Sequence, residues 1–148
     1  MSRIVVGIDG SPNAQRALEW AVGEAAVRRV PLTVITVYSS VVSFWGGAVE
    51  VPPDSTVADK ARADAREAAD KALAAALAGD EQPESVTVEA ISGQPADELI
   101  RASQDADLIV VGSRGTGGFA RLLLGSVGTQ VAYHAHCPAV IIPADDRR

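Results

Sequence analysis

Two kinds of apolar pattern alternate along the chain. Short, mostly aliphatic runs at residues 4–8, 32–37, 85–91, 108–111 and 139–142 have the length and β-branched content of buried strands. Between them, apolar residues recur at helical spacing. Ala14, Ala17, Leu18, Ala21, Val22 and Ala25 form one such stripe. Ser11 precedes it as an N-cap, Pro12 fits the first helical position, and Arg28 and Arg29 suit the negative end of the dipole. A second stripe in residues 56–77 is built from Val57, Ala61, Ala65, Ala68, Ala72 and Ala76, widened by Leu73 and Leu77. Its many charges read as a solvated face, and Gly79 ends it. A short helix is predicted over 96–103 and another over 127–134, the latter with Ser126 as its N-cap.

Residues 38–55 have no clear period. They contain Phe44, Trp45, Gly46, Gly47, Pro52 and Pro53, and the expectation is a long loop with at most a turn of helix. Trp45 reads as a hydrophobic plug, or as a ring packed against a base or a partner subunit.

Strands alternating with helices predict an α/β fold, a parallel sheet with helices on both faces. No linker, duplication or low-complexity segment interrupts the pattern, and 148 residues suit one domain. Periodicity leaves the strand order open.

The densest chemistry lies in DLIVVGSRGTGGFARLLLGSVGTQ, residues 107–130. A buried strand runs into Gly112, followed by Ser113, Arg114, Gly115, Thr116, Gly117 and Gly118. Closely spaced glycines let backbone N–H groups approach an anion. Ser126 and the first turn of the next helix offer a second donor set, aided by the helix dipole. Arg114 adds a charged fork at the same mouth. A surface loop could share this glycine content, but the flanking strand and helix are the context an anion site requires. Neither GxxxxGK[ST] nor a GxGxxG after the first strand is present, which disfavours a Walker-type ATPase and a dinucleotide fold. Asp9 ends the first strand and is either a turn former or a ligand or metal contact.

The formal net charge of -6 argues against nonspecific nucleic-acid binding. One cysteine, Cys137, permits no intrachain disulfide. His134 and His136 with Cys137 are too few for a zinc site, and Cys137 has no evident ordered acid partner as a nucleophile. No apolar run is long enough to span a membrane and no signal segment is evident, so the expected compartment is the cytoplasm.

Gly112, Gly115, Gly125 and Ser126 fit a G-two-G-nine-G-[ST] spacing. With the run GGFARLLLGSV and the opening VVGIDGS, they resemble the nucleotide-binding signature of the universal stress protein family, and the similarity extends over residues 4–142. The resemblance implies a three-layer α/β sandwich whose five-stranded parallel sheet has the order 3-2-1-4-5, an adenine nucleotide alpha hydrolase-like fold. It implies ATP or another adenine nucleotide as ligand. Asp9 would lie near ribose and phosphates, the Val37 backbone would read the adenine edge, and Gly112 and Gly115 would border ribose and phosphates. Gly125, Ser126 and Val127 would form the second phosphate cradle. Arg114 occupies a variable family position. Mg²⁺ or Mn²⁺ held by Asp9 could bridge the phosphates, with at most slow hydrolysis, since no convincing general base stands out.

The resemblance also implies a homodimer through the last strand, and an unidentified protein partner is compatible with it. Departures from the family pattern are Gly128 where a hydroxyl residue is common, His136 for proline and Ala139 for valine. Two other functions compete: a dimeric interaction module without a nucleotide, and a nucleotidyl-transfer enzyme. The second lacks the expected basic or histidine-rich motifs and a substrate domain.

Overall fold

A computed structural model describes residues 2–39, 41–114 and 124–145. The elements are β1 (Ile4–Ile8), α1 (Pro12–Arg28), β2 (Leu32–Tyr38), β3 (Val41–Phe44), β4 (Gly47–Glu50), α2 (Thr56–Ala76), β5 (Val86–Ser92), α3 (Pro95–Ala102), a 3-10 turn (Ser103–Asp105), β6 (Leu108–Gly112), α4 (Ser126–His134) and β7 (Ala139–Ile142). The main sheet is five-stranded and ordered β5-β2-β1-β6-β7. All of its pairs are parallel, in registers that include Ile4↔Leu32, Ile4↔Leu108, Leu32↔Val86 and Ile109↔Ala139. Numbered within that sheet alone, the order is the expected 3-2-1-4-5.

Helices cover both faces. Ile4, Val6 and Ile8 of β1 pack with Ala17, Leu18 and Ala21 of α1 and Ala69 and Leu73 of α2. Val5, Ile35, Ile109 and Val111 face the other way, against Leu99 of α3 and Val131 of α4. Central strands buried on both faces must be apolar at every position, which explains the aliphatic runs of β1 and β6. Gly7 is the exception on β1. A Cβ there would lie 2.7 Å from Leu99 Cδ1, so the missing side chain lets α3 settle on the sheet.

The α1 cap forms as expected. Ser11 Oγ accepts the Ala14 N–H at 3.1 Å, and Pro12 opens the helix. Two expectations need correction. The 38–55 segment is not a structureless loop: β3 and β4 pair antiparallel, from Val41↔Glu50 to Phe44↔Gly47. Trp45 and Gly46 form the turn, with Gly46 at φ 99. Trp45 is fully exposed there and plugs nothing. The strands are too short and too mixed in polarity to show a period, while the Trp-Gly turn is the local signal that set them. The second correction concerns α4, whose N-cap is Gly125, with Ser126 as the first helical residue. The Gly125 carbonyl accepts the Thr129 N–H at 2.9 Å and the Thr129 hydroxyl at 2.8 Å, which starts the helix one residue early.

Among the described residues no helix is long and apolar enough to cross a membrane.

Candidate functional site

The chain leaves β1 towards β2 on one side and enters β6 on the other, so the carboxyl ends of β1 and β6 flank the switch point of the sheet. A crevice of about 680 Å³ opens there. That volume lies in the range of small-molecule sites. Asp9, Val37, Gly112, Arg114, Gly125, Ser126 and Val127 all line it, although they come from distant parts of the chain. Gly115 lies outside the described residues.

Backbone geometry places each group. β1 ends at Ile8, and Gly10 turns the chain at φ 84. Asp9 stays exposed at the mouth, and its Oδ1 accepts the Ser11 N–H at 3.0 Å. The Thr129–Gly125 bond is the first backbone turn of α4. The N–H groups of Ser126, Val127 and Gly128 precede it, so no helical carbonyl can reach them. All three residues border the crevice, at the positive end of the helix dipole.

The wall opposite is apolar. Ala65, Ala68, Ala69 and Ala72 of α2 form it, and Gln15 Nε2 donates to the Ala72 carbonyl at 3.0 Å. Ala65, Ala68 and Ala72, which read in sequence as part of a packing stripe on α2, therefore border the crevice, while Leu73, Ala76 and Leu77 pack in the core.

A polar knot holds the rim together, and its centre is a residue the sequence did not single out. Asn13 is buried in the first turn of α1. Its Oδ1 accepts the Arg114 N–H at 2.7 Å and the Ser113 hydroxyl at 3.3 Å. Its Nδ2 donates to the Ile142 carbonyl at 3.0 Å. Ser113 extends the knot: its N–H donates to Ile142 O at 2.8 Å, and its carbonyl accepts the Gly125 N–H at 2.5 Å. Its hydroxyl also accepts the Ala144 N–H at 3.2 Å. The start of α1, both ends of the glycine-rich segment and the end of β7 are thus tied at one point. The one signal for Asn13 in the sequence is a short amide one residue after the Pro12 that opens α1.

Two glycines beside the crevice have a steric reason. A Cβ on Gly112 would lie 2.9 Å from both Cγ and Oδ1 of Asn13, and one on Gly128 would lie 2.7 Å from Leu124 Cδ1. Gly128 thus leaves room for Leu124, at the cost of the hydroxyl common in the resembled pattern. Thr129 does not supply that hydroxyl, since its Oγ1 is bonded to Gly125.

Cys137 packs beside Ala139 and Ile141 on the α3–α4 face of the sheet, away from this crevice. Burial pushes its thiol pKa up, and the Asp107 carboxylate adds to the rise. Both effects hold the sulfur in its less nucleophilic form at neutral pH.

Residues 1–143 match the family described as the universal stress protein family. Universal stress protein Rv2623 of Mycobacterium tuberculosis is 39% identical over 148 residues, covering 97% of this chain and 48% of its own length. This chain therefore spans about half the length of that relative. Among solved structures, universal stress protein UspA from Lactobacillus plantarum aligns with a TM-score of 0.78 at 25% identity, covering 95% of this chain and 97% of its own. A universal stress protein in complex with cAMP aligns with a TM-score of 0.61 at 26% identity, covering 96% of each chain.

Proposed function

The chain belongs to the universal stress protein family, and on that premise we propose that its crevice binds an adenine nucleotide, ATP first among them, in a regulatory role with at most slow hydrolysis. The observation that carries this reading is the convergence of Asp9, Val37, Gly112 and the N-terminus of α4 on one crevice at the switch point of the sheet. The cAMP bound by a relative supports the adenine part. In this reading the phosphates lie against the N–H groups of Ser126 and Val127 and the turn after Gly112, where Arg114 and Gly115 follow. The base lies towards Val37 and the alanine wall of α2. Asp9 brings one carboxylate, so Mg²⁺ or Mn²⁺ would take its other oxygens from phosphate and water. Among the described residues no group of three or more His, Cys, Asp or Glu could hold an ion alone.

Titration calorimetry tests the site through Ser126→Asp. A carboxylate at the first position of α4 favours the helix dipole, so the melting temperature is expected to hold or rise slightly. The same charge repels a phosphate, and ATP affinity is expected to fall at least about tenfold, roughly 1.4 kcal/mol. Unchanged affinity would remove the phosphates from this helix. No ATP binding by the original protein would defeat the reading itself. Repeating the titration with Mg²⁺ and with chelator examines Asp9: Asp9→Asn is expected to lose the gain that metal confers. A gain of equal size in that variant would take the ion elsewhere.

We also propose that two copies pair through β7. Among the described residues its outer edge has no partner strand in the sheet order, and an open edge invites pairing. The Pro138 carbonyl accepts from Ile109 of β6, and the Ile142 carbonyl from Ser113, the residue that follows β6. By the alternation of a strand, Ala139 and Ile141 then turn their N–H groups outward. Ile141→Pro removes an outward donor and spares the ladder to β6. Light scattering is expected to give a dimer for the original and a monomer for this variant, with circular dichroism confirming its fold. A monomeric original would end the proposal.

A further inference from the structure

We propose that Arg62 of α2, held in place by the Tyr38 hydroxyl, lays its guanidinium plane on the base of the nucleotide. This rests on the nucleotide reading above and names the side chain that meets the base.

The described lining of the crevice contains no aromatic residue. A purine lying against the alanines of α2 gains dispersion contact but no flat partner. An arginine can supply one, because bases stack on guanidinium planes.

Arg62 stands at the end of that alanine wall. Ala65 and Ala69 line the crevice, and Arg62 precedes them by three and seven residues, on the same face of α2. Tyr38 comes from the other side. Thr36 lines the crevice, and the two-residue period of a strand sends the Tyr38 side chain to the same face of β2. There the Tyr38 hydroxyl accepts from Arg62 Nε at 3.1 Å. This bond joins β2 to α2 across one end of the crevice. Tyr38 is a firm anchor, since it pairs with Ser92 in the sheet and its carbonyl accepts the Gly93 N–H at 3.1 Å.

The geometry makes this the base end. The proposed phosphates lie beside β6, at Gly112 and the start of α4. β2 stands two strands away, on the far side of β1. Two strand spacings are about 10 Å, the reach of a nucleoside from its phosphate.

The charge of Arg62 is open to a ligand. Lys60 and Arg66 of α2 pair with Asp64 and Asp70, each four residues on. Four residues on from Arg62 is Arg66. Among the described residues no carboxylate lies within ion-pair distance of Arg62, and Asp59 attracts it only from further away. The side chain is exposed. A bond in the guanidinium plane, at Nε, leaves the faces for a ring.

Titration calorimetry with ATP and with inorganic triphosphate is the test. Arg62→Ala is expected to weaken ATP by about threefold to fivefold and to leave inorganic triphosphate unchanged. Arg62→Lys keeps the charge without the plane and is expected to recover only part of the loss. Tyr38→Phe frees the guanidinium and is expected to cost part of the same affinity. In the Arg62→Ala background it should cost nothing further, since Tyr38 acts through Arg62. Undiminished ATP affinity in Arg62→Ala would overturn the proposal and leave the crevice reading intact. An equal loss for inorganic triphosphate, or full affinity in Arg62→Lys, would reduce Arg62 to an attraction at a distance and overturn it too. A cost of Tyr38→Phe that persists beside Arg62→Ala would give the contact to the phenol instead. No ATP binding by the original protein would defeat the nucleotide reading, and this contact with it.

Discussion

Replacing Asn13 with leucine is expected to lower stability by about 2–4 kcal/mol and to loosen the rim of the crevice. The substitution keeps similar bulk in the first turn of α1 but removes an acceptor from the Arg114 N–H and a donor from the Ile142 carbonyl. The Ile142 carbonyl keeps its bond from Ser113 N–H. The larger loss is therefore at Arg114, whose backbone lies beside the proposed phosphates. For a chain of this size the melting temperature should drop by roughly 5–15 °C, and ATP affinity should fall with it. Asn13→Asp separates the two halves of the knot. It keeps the acceptor for Arg114 and replaces the donor to Ile142 with a carboxylate facing a carbonyl. Calorimetric melting of both variants is the measurement. A leucine variant that melts within about 2 °C of the original would show that the knot contributes little.

Gly7→Val should act from beneath the site. A Cβ at that position would lie 2.7 and 2.8 Å from the two Cδ atoms of Leu99. Leu99 is buried among Val5, Ile35, Ile109, Val111 and Val131, so its side chain has no easy rotamer to yield into. Overpacking of this kind costs about 1–3 kcal/mol. Leu99 also lines the crevice, so displacing its side chain disturbs that wall. ATP affinity should therefore fall more than the stability change alone explains. Adding Leu99→Ala to Gly7→Val should restore both stability and binding in part, giving a coupling energy of about 1 kcal/mol or more in a double-mutant cycle. Additive effects of the two changes would place the strain elsewhere.

Much of the architecture was readable because it is local. Alternating apolar runs and alanine-rich stripes marked the five strands of the main sheet and their helices, with ends shifted by a residue or two. Ser11 and Pro12 marked the start of α1 through side-chain chemistry that acts within one turn. The spacing of Gly112, Gly125 and Ser126 pointed to residues that do share one crevice. The strand order came from family resemblance, since nothing in a strand's own pattern states its neighbours.

What escaped the sequence has physical causes. The hairpin strands are too short for a period to emerge. Gly125 displaced Ser126 as the α4 cap because its carbonyl meets Thr129 first. Ala65, Ala68 and Ala72 look like a buried stripe because alanine is apolar on any wall, whether it faces a core or a cavity. By itself the chain determined where the strands of its main sheet and its helices lie and where its closely spaced glycines fall, because those depend on neighbours within a few residues. Only the tertiary structure decided that Asn13 would meet Arg114, 101 positions away, and Ile142, 129 positions away. An amide can satisfy its hydrogen bonds with any backbone brought near it, and which backbone arrives is set by how the sheet and helices pack.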